Sequence, residues 1–262
     1  MGAATFRIWR GDAAGGQLHD YATEVSEGMV VLDAVHRIQA SQANDLSVRW
    51  NCKAGKCGSC SAEVNGMPRL MCMTRLSELP LERPVVIEPM RAFPHVKDLV
   101  TDVSWNYRVK QQIRKFKPRA PDAPDGTWRM AQSDVDRVQE FRKCIECFLC
   151  QDVCHVLREH RKFEEFAGPR FLVHIAALEM HPLDTEDRTA ELRAAHGLGW
   201  CNITKCCTRV CPENITITDN AIIPLKERVA DEFYDPLQWL WRLVSGRGRK
   251  ARRSAEGAPE VG

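Results

Sequence analysis

"KCIECFLCQDVCH", residues 143–155, spaces its cysteines as Cys144-x2-Cys147-x2-Cys150-x3-Cys154. This is the run of bacterial ferredoxins, in which three thiolates wrap one iron-sulfur cluster and the fourth reaches across to ligate another. Only His155 departs from it, standing where the run carries proline. In two-cluster ferredoxins the fourth cysteine of each run ligates the other cluster, and that rule directs attention to a second run.

The partner is "CNITKCCTRVCP", residues 201–212. Against the same template it reads Cys201, then Thr204 where the middle cysteine belongs, then Cys207, then Cys211 followed by Pro212. Crossing over the fourth ligands gives Cys144, Cys147, Cys150 and Cys211 for a [4Fe-4S] cubane. The other set is Cys154, Cys201 and Cys207, and three thiolates with Thr204 at the fourth place fit a [3Fe-4S] cluster. Cys206 is left over. Beside Cys207 on a helical turn it should project in another direction. It could instead swing in to complete a second [4Fe-4S] cluster, or be an ordinary buried thiol.

Upstream, "NCKAGKCGSC" and "MCM" give Cys52-x4-Cys57-x2-Cys60-x11-Cys72, the plant-type [2Fe-2S] spacing. Gly55 and Gly58 let backbone amides approach the sulfurs. A structural zinc site is the alternative, but zinc ribbons pair two CxxC knuckles and this loop has one beside a four-residue gap. Lys53 and Lys56 read as the solvated face of the loop.

Composition agrees. The chain has 262 residues and twelve cysteines, too long to need disulfide staples, and a net charge of +2 that gives no reason to expect nucleic acid as a partner. No apolar run reaches the length of a membrane span and no basic-then-apolar leader opens the chain, which predicts residence on the cytoplasmic or matrix side.

Alternation in "TFRIWR" (5–10) and "LHDYATEV" (18–25) predicts a hairpin, and "MVVLDAVHRIQA" (29–40) has helical periodicity. Asn65-Gly66 marks a tight turn, and "RPVVIEP" (83–89) reads as another strand. Residues 93–116 read as a helix carrying Val96, Leu99, Val100 and Val103. The prolines of "KPRAPDAPDGTW" (117–128) then place a linker. Beyond it the pattern is helical: Ser133 or Asp134 can cap a helix running to about Arg142, and Pro169 suits a first turn. Thr218 can cap a last helix, which Pro224 must bend or restart.

The fold class expected is α+β, divided as 1–105 with the first centre, 106–132 as connecting helix end and linker, 133–235 as a helical domain with two centres, and 236–262 as an amphipathic segment and basic tail. In that last part Leu237, Leu240, Trp241 and Val244 form a stripe ahead of basic residues. It could rest on a membrane surface or pack on its own domain.

Three cysteine groups in this order, with "FPHVKDLVTDV", "KCIECFLC" and "GPRFLVHIAALEMHPLDTEDR", resemble the iron-sulfur subunit of succinate dehydrogenase and fumarate reductase over about residues 5 to 235. The resemblance implies a β-grasp ferredoxin domain followed by a helical two-cluster domain. It implies two kinds of partner, an FAD-containing flavoprotein subunit that oxidises succinate and a transmembrane anchor where quinone reacts. Electrons would pass from flavin through [2Fe-2S], [4Fe-4S] and [3Fe-4S] to quinone, linking the tricarboxylic acid cycle to the respiratory chain. The chain itself would conduct electrons and bind no succinate, peripheral on the cytoplasmic face of a bacterial inner membrane. A fumarate reductase would run the same path in reverse.

The chain departs from the resemblance on the quinone side. Many family members carry proline and then tryptophan after the cysteine matching Cys154, and histidine after that matching Cys201. Here His155, Glu159 and Asn202 stand at those places. His155, Asn202 and Thr204 are therefore the quinone-side candidates. His155 and His174 could also carry protons, or be ordinary histidines.

Overall fold

A computed structural model describes residues 2–236 together with Leu240 and Val244. The chain forms two compact units. The first takes in Met1–Arg108, Cys144–Lys162 and Lys205–Asn214, and the second Val109–Lys143, Phe163–Thr204 and Ile215–Gly262.

The first unit is built on a mixed sheet. Strands β1 (Ala3–Asp12) and β2 (Gly15–Glu24) pair antiparallel along their whole length, as the alternation predicts. Ala4, Phe6 and Ile8 point inward from β1 and are buried. Strands β3 (Ser61–Val64) and β4 (Met67–Leu70) meet at Asn65-Gly66, and β5 (Val85–Glu88) runs parallel to β1 and antiparallel to β3. Asn65 and Gly66 both have positive φ, 51° and 74°, which is the turn that matches strand twist. Helix α1 (Val31–Ser41) buries Val31, Leu32, Ala34, Val35 and Ile38. One helix held by a mixed sheet is the β-grasp arrangement expected.

The segment 93–116 differs from the helix predicted. It contains β6 (His95–Lys97) and β7 (Val100–Thr101), and only Ser104–Gln112 forms a helix, α2. Asp98 decides this. It adopts φ 48°, and its buried carboxylate accepts the Gly11 and Ser47 amides at 3.0 and 2.8 Å and pairs with Arg10 at 3.1 Å. These long-range bonds and the β-branched valines on either side outweigh the apolar periodicity. Asp102 accepts the Ser104 amide at 2.8 Å and starts the helix there.

The second unit is helical. A helix at Gln132–Gln139 tightens into a 3-10 turn at Glu140–Lys143, one residue past the predicted end. Its N-cap is Ala131 rather than Ser133 or Asp134. Pro169 does open the helix Pro169–Glu179, which packs against the π-helical turn Ile217–Ile222. Pro224 restarts the last helix rather than bending it: α-helix runs Ile223–Phe233, and Thr218 lies in the preceding wide turn without capping it. Arg188 is fully buried. It pairs with Asp184 at 2.9 Å and donates to the Arg114 and Lys115 carbonyls at 3.0 and 2.8 Å, so the chain after α2 ends in a satisfied anchor. Between Gln112 and Gln132 no helix or named strand forms, as the prolines predict. Of the predicted stripe, Leu240 and Val244 are exposed, while Leu237 and Trp241 fall outside the described residues.

Candidate metal centres

The loop Cys52–Cys60 joins α1 to β3, and its backbone is bent by three residues of positive φ: Lys53 (53°), Gly55 (67°) and Gly58 (70°). Alternating handedness turns successive amides to one side and makes an anion-binding hollow. Two of those amides, Ala54 and Lys56, donate to Cys52 Sγ at 3.3 Å, and the Ser59 amide donates to Cys57 Sγ at 3.5 Å. Burial pushes the Cys57 thiol up, yet hydrogen bonds from Ser59 and Cys52 hold it well below its usual value. Burial also pushes Cys60 up, with the sulfurs of Cys72 and Cys57 near enough to add to it. The four cysteines therefore gather as two neighbouring pairs, Cys52 with Cys57 and Cys60 with Cys72. Lys56 pairs with Glu213 rather than standing free, and Lys53 lies over the Trp50 ring.

In the second run the same device recurs. Glu146 (56°) and Phe148 (61°) have positive φ, and a one-turn helix Leu149–Asp152 follows. The return run copies it: Ile203 (63°) and Lys205 (59°), then a one-turn helix Cys206–Arg209. Left-handed φ at a β-branched residue such as Ile203 is costly, so its recurrence at the matching position marks a backbone imposed by the site. The repeat sets Thr204 at the place of Cys147, Cys207 at that of Cys150 and Cys211 at that of Cys154. Cys206 takes the place of Leu149, which is no ligand position.

Within the first unit the two one-turn helices pack on each other. Burial pushes the Cys147 thiol up, the Leu149 amide works against this, and the sulfurs of Cys144 and Cys211 lie close enough to push it further. Cys211 thus lies near Cys147 although more than sixty residues of chain separate them. Cys150, Cys154 and Cys207 are also buried in this unit, with Cys206 half-buried. Cys201 and Thr204 belong to the second unit.

Among the described residues no three His, Cys, Asp or Glu side chains close in tightly enough for a single metal ion. Inward amides, thiols gathered as neighbours and buried surroundings fit iron-sulfur clusters at the first two sites.

Of the residues expected on the quinone side, His155 opens the one-turn helix His155–Arg158 and its ring stands edge-on to His160. Asn202 and Thr204 are exposed.

Reading the sequence missed a buried charge group beside these centres. Glu63 of β3 has no exposure; it pairs with Arg158 at 2.8 Å and Arg91 at 3.3 Å. Asp152, between Cys150 and Cys154, accepts the Ala92 amide at 2.9 Å, and burial lifts its carboxyl to about 7. Alternation could have flagged Glu63, since "SAEV" carries one charge in an otherwise apolar strand.

A family model for a 2Fe-2S iron-sulfur cluster binding domain matches residues 5–107, and one for a 4Fe-4S dicluster domain matches residues 140–215. The chain is 33% identical over 202 residues to the fumarate reductase iron-sulfur subunit of Mycobacterium tuberculosis (strain CDC 1551 / Oshkosh), covering 74% of this chain and 79% of that protein. It is 29% identical over 231 residues to the succinate dehydrogenase iron-sulfur subunit of Bacillus subtilis (strain 168), covering 81% and 87%. Among solved structures, a chain of the Mycobacterium smegmatis Sdh1 complex in the apo form is similar with a TM-score of 0.86 at 62% identity, covering 90% of this chain and 98% of that one.

Proposed function

This chain belongs to the family of iron-sulfur subunits of succinate dehydrogenase and fumarate reductase, and on that premise we propose that it relays electrons between a flavoprotein partner's FAD and quinone in a membrane anchor. Cys52, Cys57, Cys60 and Cys72 would hold the [2Fe-2S] cluster. Cys144, Cys147, Cys150 and Cys211 hold the [4Fe-4S] cluster, and Cys154, Cys201 and Cys207 hold the [3Fe-4S] cluster. When bound, the clusters supply single-electron carriers that split the two-electron chemistry of flavin. The protein's own contribution is to hold them and to set their charge: amides aimed at Cys52 and Cys57 stabilise negative sulfur, and hydrogen bonds to sulfur are one lever on a cluster's potential.

The functional division runs 1–105 for the first cluster and 133–235 for the other two, which the separate matches of the two family models support. No helix among the described residues is long and apolar enough to cross a membrane. The chain is held peripherally at the cytoplasmic face by the anchor subunit. Relatives of both names match it, so the same residues serve succinate oxidation or, driven in reverse, fumarate reduction.

The observation that carries this reading is the repeated backbone of the two cysteine runs, with left-handed residues at matching places and one-turn helices that pack on each other, as an interleaved pair of centres would require. Anaerobically purified protein should contain about nine or ten irons with comparable acid-labile sulfide. In its EPR spectrum the oxidised protein should show the signal of a [3Fe-4S] centre. Zinc without sulfide would overturn the reading.

A further inference from the structure

Ser61 follows Cys60 directly and opens β3. Its side chain is buried, and Oγ lies 2.9 Å from the Gly58 carbonyl oxygen and 2.8 Å from that of Cys147. A hydroxyl has one proton to donate, so it is shared between the two carbonyls or given to each in turn. Gly58 sits on the same junction. With φ 70°, a Cβ there would stand 2.6 Å from Cys147 Cα and 3.0 Å from its Cβ and N, so no other residue permits this approach. A third tie is the ion pair of Lys56 Nζ with Glu213 Oε1 at 3.1 Å, two residues past Cys211. The loop carrying Cys57 and Cys60 is thus held against the turn carrying Cys147 at Gly58 and Ser61, and against the stretch after Cys211 through Lys56; of these ties Ser61 makes the buried hydrogen bond.

Resting on the cluster assignment above, we propose that Ser61 is the positioning residue between the first and second centres. Its hydrogen bond fixes Cys60 relative to Cys147. It also completes a bonded route from one sulfur to the other, through the Cys60–Ser61 peptide and Oγ–H to the Cys147 carbonyl. One electron passes from the centre held by Cys60 to that held by Cys147; no covalent bond forms or breaks, and the hydroxyl proton stays on Ser61. An apolar side chain here would leave the Cys147 carbonyl without this partner in a buried place, and the turn would relax away from the loop.

The test uses the loaded chain in its native complex. Iron and sulfide content, the EPR interaction between the two reduced centres, and the rate of electron passage after photoreduction of the first are compared in wild type, Ser61→Ala and Ser61→Thr. Ser61→Ala should keep both centres, weaken the magnetic interaction and slow the transfer severalfold, while Ser61→Thr, which keeps the hydroxyl, should restore much of both. A purely structural serine would lower melting temperature and leave interaction and rate at wild-type values; that result in a fully loaded Ser61→Ala protein overturns the proposal. If Ser61→Ala does not load, Ser61→Cys decides, since it keeps the volume close to that of serine but offers the Cys147 carbonyl only a weak S–H donor. Slower transfer there upholds the proposal and wild-type transfer ends it. Wild-type protein lacking the two EPR signals would instead sink the cluster assignment, and this inference with it.

Discussion

Cys206 shows what a single residue's backbone can decide that spacing cannot. Adjacent cysteines on a helical turn project about 100° apart, so which of Cys206 and Cys207 faces inward depends on where the turn begins. The left-handed Lys205 starts it, and the matching left-handed Phe148 starts its counterpart, which equates Cys206 with Leu149. Cys206→Ser should therefore keep the iron content and all EPR signals of the wild type, whereas Cys211→Ser should lose the [4Fe-4S] signal. Loss of the third centre in Cys206→Ser would reverse the assignment. The proposed roles of the eleven other cysteines rest on spacing that cluster chemistry imposes. Glu63, Asp152 and Ser61 were not legible in the sequence, because a polar residue's burial is set by neighbours far away in sequence.

Among the elements, the stretch after Phe93 was misread for a related reason. Val96, Leu99, Val100 and Val103 satisfy a helical period, yet Val96 is exposed and the chain folds into β6 and β7. What holds these short strands is Asp98, whose side chain is almost wholly buried, with Arg10 as its partner. The hairpin, α1 and the Asn65-Gly66 turn were legible since their own residues favour them; β6 and β7 depend on one carboxylate meeting Gly11 and Ser47. Asp98→Ala removes the charge partner and two acceptors at once, so it should lower stability by about 3 kcal/mol. Chemical denaturation measures this, and a loss under about 1 kcal/mol would mean that the strands hold without the carboxylate.

For the whole molecule, the first compact unit is assembled from three separate stretches of chain, an arrangement that reading along the sequence does not display. The cysteine spacing does point to one long-range approach, that of the two runs, and the one-turn helices that follow their left-handed residues pack on each other. Protein contacts also hold the inserted stretches: Arg158 on Glu63, Asp152 on the Ala92 amide, and Lys56 on Glu213. The exposed Lys56 pair contributes little. Closing the long loop between Cys150 and Cys211 opposes conformational entropy, and with the ligands proposed above a bound cluster would offset that cost, since they come from both ends. Removing iron under reducing conditions should therefore raise amide hydrogen exchange chiefly in 144–162 and 205–214. The helix Pro169–Glu179 and the β1–β2 hairpin, which bury their own apolar faces or pair along their full length, should change far less. Hydrogen exchange followed by mass spectrometry resolves these segments. A uniform rise across the chain would show that the clusters support the whole fold rather than the return of two stretches to the first unit.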